Sequence, residues 1–177
     1  MDNLQADNLQ AKVKLYDLLG RFDTTMMVTH APSGPLDCRP MRIAASEIES
    51  GGPLWFITSV EGHLPQELSG DARTLLVFQG EGHYVALWGR AVVVTDEALA
   101  RKYWREEHRT WVPLGPDDPD LRLVKFIPHS AEFWSAATED TVRYLFEAAR
   151  ARAAEAHADA ESVADDQSHA RTNLSRP

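Results

Sequence analysis

Seven histidines and a single cysteine are the side chains here most apt for catalysis or metal binding, and their spacing supports neither. The histidines stand at positions 30, 63, 83, 108, 129, 157 and 169. None forms the close pair expected of a zinc ligand set, so each reads as an ordinary surface histidine. Cys38 has no activating neighbour in sequence and reads as a small buried hydrophobe rather than a nucleophile. There is no G-x-S-x-G elbow, no Walker loop and no H-E-x-x-H helix. Gly80-Glu81-Gly82 is a bare G-x-G and reads as a turn.

Four other segments stand out. They are Arg39-Pro40-Met41; Leu54-Trp55-Phe56-Ile57-Thr58-Ser59; Tyr84-Val85-Ala86-Leu87-Trp88-Gly89-Arg90-Ala91; and Trp111-Val112-Pro113-Leu114-Gly115 followed by Asp117-Asp118-Pro119-Asp120. Ala131-Glu132-Phe133-Trp134 closes the set. Trp55, Phe56 and Trp88 are expected inside any β domain, because large apolar side chains gain most from burial. Arg39 is harder to assign to core packing, and a surface ion pair is the plain alternative to a ligand contact.

The order and spacing of these segments, from Leu15 to Phe146, resemble the general stress protein 26 group of the pyridoxamine 5′-phosphate oxidase-like superfamily. The resemblance implies a split β-barrel that dimerises and holds flavin mononucleotide (FMN) at the subunit interface. It also implies that Arg39, Pro40 and Met41 lie along the flavin, with Arg39 a charged donor to ribityl or phosphate oxygens. Phe56, Ile57, Thr58 and Ser59 would pass beside the ring and end with hydroxyls facing the phosphate. Trp111 and Trp134 fall where aromatic residues of the group approach the pocket. The flavin would supply the hydride chemistry, which accounts for the lack of a visible acid–base pair.

The sequence departs from the group at one place. Related flavin binders grip the phosphate with a Ser and, two residues later, a Lys; here these are Gly62 and Leu64, with His63 between them. Replacement donors are Thr58, Ser59, a protonated His63 and the backbone N–H groups where a helix begins at Pro65. Two functions follow from the resemblance and this departure. One is an FMN-binding oxidoreductase or redox-linked stress protein. The other is a split barrel that has lost flavin and serves as a non-enzymatic binding module. A deazaflavin or haem in the same cleft is a third reading.

The elements that position these residues are mainly strands. Leu15, Leu18, Leu19 and Phe22 recur at helical spacing, which predicts a helix over 8–20 closed by Gly20. Strands are predicted over 24–30, 37–46, 54–59, 75–79, 84–94 and 121–134 from β-branched and aromatic runs bounded by Gly and Pro turns. Pro40 makes its strand an edge or a bulge. A short helix is predicted over 66–69, and Thr95 or Asp96 caps another running to about 107. Residues 111–120 read as a long loop. Val142, Leu145, Phe146 and Ala149 predict a last helix after Thr138. Together these predict a mainly β fold with flanking helices, a six-stranded antiparallel split barrel.

Length and composition bound the rest. The 177 residues, 44% of them hydrophobic, suit one domain over 1–152, followed by an alanine-rich acidic tail over 153–177 with little to bury. A net charge of −9 argues against nucleic acid and anionic membrane as partners, since both reward concentrated Lys and Arg. A lone cysteine and a polar, acidic start are the signs expected of a cytoplasmic protein.

Overall fold

The computed structural model describes residues 3–32, 34–135 and 138–145. Strands occupy Thr24–His30 (β1), Leu36–Ser46 (β2), Leu54–Ser59 (β3), Arg73–Gly80 (β4), His83–Val94 (β5), Leu121–Ser135 (β6) and Thr138–Leu145 (β7). Helices occupy Asn3–Leu19 (α1), Leu64–Gly70 (α2) and Glu97–Tyr103 (α3). The strands order as β3-β2-β1-β4-β5-β6, and β3 pairs again with β6. Six antiparallel strands therefore close into a barrel, as the sequence predicts, and β7 extends the sheet beyond β6.

Alternation builds the interior. In β1, Thr25, Met27 and Thr29 are buried while Thr24, Met26 and His30 are exposed. Met27, Phe56, Leu76, Phe78, Phe126 and Phe133 fill the barrel, joined by Leu15, Leu18 and Leu19 of α1. Phe22 lies beyond the helix end, yet its ring meets Phe78 at 5.6 Å. Gly20 follows α1 without a left-handed φ, its N–H donating to the Tyr16 carbonyl at 3.0 Å. β3 is buried on both faces: Leu54 and Phe56 face the barrel, and Trp55 and Ile57 enter a second core with Ala100, Tyr103, Val112 and Leu123. That double burial explains its unbroken apolar run.

Local geometry fixes the connections. The β4–β5 hairpin turns on Glu81 and Gly82, both with positive φ, which matches the strands' twist. The β5–β6 register shifts opposite Gly89, and a Cβ there would overlap the Ile127 carbonyl and the Phe126 ring. Only glycine allows that approach.

Several expectations are corrected. α3 ends at Tyr103, not near 107: Trp104 is extended, and a 3₁₀ turn over Glu106–Thr110 follows. The Arg105 N–H donates instead to His108 Nδ1 at 3.0 Å. The segment expected to form a C-terminal helix is β7, with Ser135 opposite Thr138, Phe133 opposite Val142 and Ala131 opposite Tyr144. The long β6 leaves a backbone edge past its β3 pairing, and a Thr- and Val-bearing segment satisfies it. Phe146, Ala149 and the tail over 153–177 lie outside the described residues. Trp88 is exposed because strand alternation gives the interior to Leu87, and Cys38 is exposed on β2. Among the described residues, no helix is long and apolar enough to cross a membrane.

Candidate functional site

The barrel is split where β2 and β3 part. They pair only at Ile43↔Phe56, Ala45↔Trp55 and Ser46↔Leu54, with a bulge between Ile43 and Ala45. Before the bulge, β2 is held by β1 alone; past Phe56, β3 is held by β6 alone. Pro40 thus lies on a local edge, where its missing N–H costs no ladder bond, and the bulge comes after it. Between the two edges opens a cleft of about 350 Å³. Arg39, Pro40, Met41 and Arg42 line one bank and Ile57, Thr58 and Ser59 the other, with Gly62, His108 and Trp111 completing it.

The cleft is apolar along Pro40, Met41, Ile57 and Trp111, with charge at the β2 bank. Arg39 Nη2 lies 2.6 Å from Asp37 Oδ2 and 2.8 Å from Glu67 Oε2. Glu67 is buried in α2 and also accepts the Thr29 hydroxyl at 2.6 Å. The Cys38 N–H and then the Arg39 guanidinium hold the Asp37 carboxyl below the usual carboxylate range. Arg42 makes no ion pair among the described residues.

Two residues lining this cleft carry a buried donor with no partner among the described residues: Arg39 Nη1 and His108 Nε2. His108 is 2% exposed. Because its Nδ1 accepts the Arg105 N–H, the neutral ring carries its proton on Nε2. Burial is the main influence lowering the His108 pKa, so the neutral form holds at pH 7.

The predicted residues divide. Arg39, Pro40, Met41, Ile57, Thr58, Ser59 and Trp111 come together in the cleft, and Gly62 with them. Phe56 faces the barrel core instead, because it alternates with Ile57. Leu64 is also core, at 3% exposure, so it is not a phosphate-facing position. His63 precedes α2 and is exposed, without a capping bond from its side chain. Trp134 pairs with Tyr84 on the β5 side and does not line the cleft. Arg42 and His108 were not predicted. The spacing of Trp104, His108 and Trp111, at i, i+4 and i+7, was the available signal for the second.

The residues present fit a flat heteroaromatic ring better than they fit its phosphate. Apolar walls suit a ring, and two unpartnered buried donors call for acceptors. For a phosphate the cleft offers Arg42, Thr58 and Ser59, with Arg39 already committed to two carboxylates. Among the described residues there is no cluster of His, Cys, Asp and Glu able to hold a metal.

A closed six-stranded barrel, split between two strands by a ligand-sized cleft, defines the class of protein. The family described as pyridoxamine 5′-phosphate oxidase like matches residues 10–159, and the chain belongs to it. No curated protein matches the sequence. Among solved structures, a Clostridium acetobutylicum protein related to general stress protein 26 is similar, at TM-score 0.67 and 16% identity over 79% of this chain and 97% of that one. General stress protein 26 of Bacillus anthracis gives 0.63 and 17% over 75% and 97%. Both likenesses concern the fold. The general stress FMN/FAD binding protein of Xanthomonas citri gives 0.62 and 26% over 74% and 92%.

Proposed function

We propose that this chain is a homodimeric, FMN-binding split-barrel protein of the cytoplasm that acts as an oxidoreductase or in a redox-linked stress response. One observation carries the reading: two residues lining an apolar cleft between β2 and β3 carry buried N–H donors that no group among the described residues satisfies. A buried donor without an acceptor costs free energy that a ring carbonyl or ring nitrogen would recover. Thr58 and Ser59 present hydroxyls at the same cleft. When bound, the flavin would supply hydride or electron transfer, and this chain would supply position, exclusion of water and hydrogen bonds. The FMN/FAD binding of the Xanthomonas citri relative supports the same reading.

The dimer is supported by apolar surface that one chain leaves open. Trp111, which lines the cleft, and Leu114 three residues on are 58% and 75% exposed. Across the barrel, Val28, Leu36, Leu75 and Trp88 line an apolar groove, with Met26 exposed on β1 as well. Such patches on a small domain mark association sites. Light scattering at micromolar concentration should give twice the chain mass, and a monomer would remove the dimer from the reading.

The second reading, a split barrel without flavin, is favoured by the committed Arg39 and the buried Leu64. The visible spectrum of freshly purified protein decides between them, with mass spectrometry of whatever denaturation releases. Flavin bands and a released FMN mass support the first. A colourless protein that takes up no added FMN supports the second.

A further inference from the structure

We infer that His108 is a ligand-contacting residue, whose Nε2–H donates a hydrogen bond to an uncharged acceptor, a ring carbonyl or ring nitrogen, of the molecule in the β2–β3 cleft. The inference deepens the flavin reading and rests on it for the identity of the ligand. Three observations lead to it. His108 is 2% exposed, so water at the surface does not serve its side chain. Its Nδ1 is fixed by the Arg105 N–H at 3.0 Å, which places the remaining proton on Nε2. Nε2 is buried with no partner among the described residues, and His108 lines the cleft.

The class of acceptor follows from charge. A phosphate recruits cations, and a neutral imidazole N–H competes poorly with arginine for it. Burial above all keeps the imidazole neutral here, and the Arg42 charge also opposes protonation, against the Arg105 backbone and Glu107. A fixed, uncharged donor in a low-dielectric wall suits an uncharged acceptor on a flat ring. Trp111 on the same wall offers the ring a flat apolar neighbour.

Two substitutions separate the two ring nitrogens. The His108→Asn side chain can keep an oxygen near the Nδ1 position for the Arg105 N–H, and it has nothing at Nε2. The His108→Gln side chain can place an N–H near Nε2 and loses the Nδ1 acceptor. FMN, riboflavin and 5-deazariboflavin are titrated into wild type and both variants, with thermal melts of each. Riboflavin lacks the phosphate, so it isolates contacts to the ring and ribityl chain. His108→Asn should weaken FMN and riboflavin equally, by about tenfold, while melting near wild type. His108→Gln should melt earlier and, while folded, bind more tightly than His108→Asn. Equal binding by wild type and His108→Asn, or a loss confined to FMN, overturns the inference and leaves the flavin reading standing. If only the deazaflavin binds, with the same dependence on His108, the flavin reading falls and the inference stands. Binding of none of the three overturns both.

Discussion

Arg39 Nη2 lies 2.8 Å from the carboxylate of Glu67, which is 2% exposed, so one of the two arginines lining the cleft is paired before any ligand arrives. The pair joins β2 to α2, and the Thr29 hydroxyl extends it to β1. Its first role is therefore structural. Arg39→Ala strands a buried carboxylate, and loss of one partner of a buried pair costs about 3–5 kcal/mol. Glu67→Gln keeps the shape and leaves Arg39 with Asp37, so it should cost less, about 1–3 kcal/mol. Urea unfolding of the two variants should show that order. Surface-like effects below about 0.5 kcal/mol for both would show that the pair contributes little.

β1 and β3 were legible because short β-rich runs bounded by turn residues admit few other structures. β7 was not, since Val142 and Leu145 sit at a spacing that suits a helix turn, and only the open edge of β6 decides for a strand. In the site, the two banks were legible through Arg39-Pro40-Met41 and Thr58-Ser59. Leu64 and His108 were not: which way each faces depends on where α2 and the 3₁₀ turn dock, a non-local matter. Cys38 and Trp88 were misplaced for a simpler reason. Alternation puts every second residue of a strand outside, whatever its hydrophobicity.

Tyr103 should be a late-titrating tyrosine. Its hydroxyl donates to Glu47 Oε1 at 2.6 Å, tying α3 to the β2–β3 connection. That hydrogen bond, with burial behind it, pushes its pKa up to about 12. Above about pH 10 an unfolded tyrosine loses its proton while the folded one keeps it. Stability from this contact is therefore complete below about pH 10 and is lost as pH rises towards 12. Absorbance titration at 295 nm should show a tyrosine ionising late in wild type and absent in Tyr103→Phe. That variant should lose about 0.5–1.5 kcal/mol at neutral pH.

His108 predicts the opposite pH dependence. Burial first, and then the Arg42 charge, lowers its pKa below that of an unfolded histidine, with the Arg105 backbone and Glu107 opposing. The unfolded chain then binds the proton more readily, so stability is full above about pH 6.5 and falls as acid takes the pH below it. Protonation would also cost the Arg105 N–H its acceptor. Urea midpoints between pH 7.5 and pH 5 should decline more steeply in wild type than in His108→Asn, which keeps an acceptor and does not titrate. Parallel slopes would show that His108 does not set this dependence.

The phosphate grip can be restored at Gly62 and not at Leu64. Leu64 is 3% exposed and belongs to the barrel core, so Leu64→Lys would empty apolar volume and bury an ammonium group. It should cost about 2–5 kcal/mol and gain no affinity. Gly62 lines the cleft beside Thr58 and Ser59, and its backbone is outside the left-handed region. A Cβ there meets only the Ser59 carbonyl, at 3.5 Å, an ordinary contact. Gly62→Ser should fold as wild type and add a hydroxyl at the cleft. A hydrogen bond to a charged group is worth about 1.5–3 kcal/mol, so FMN should bind at least about tenfold more tightly. Riboflavin has no phosphate, and its affinity should not change. Fluorescence titrations of both flavins into wild type, Gly62→Ser and Leu64→Lys measure this directly. Tighter binding of both flavins would place Gly62 beside the ring. No change in either would mean that the phosphate of a bound FMN lies elsewhere in the cleft, on the Arg42 side.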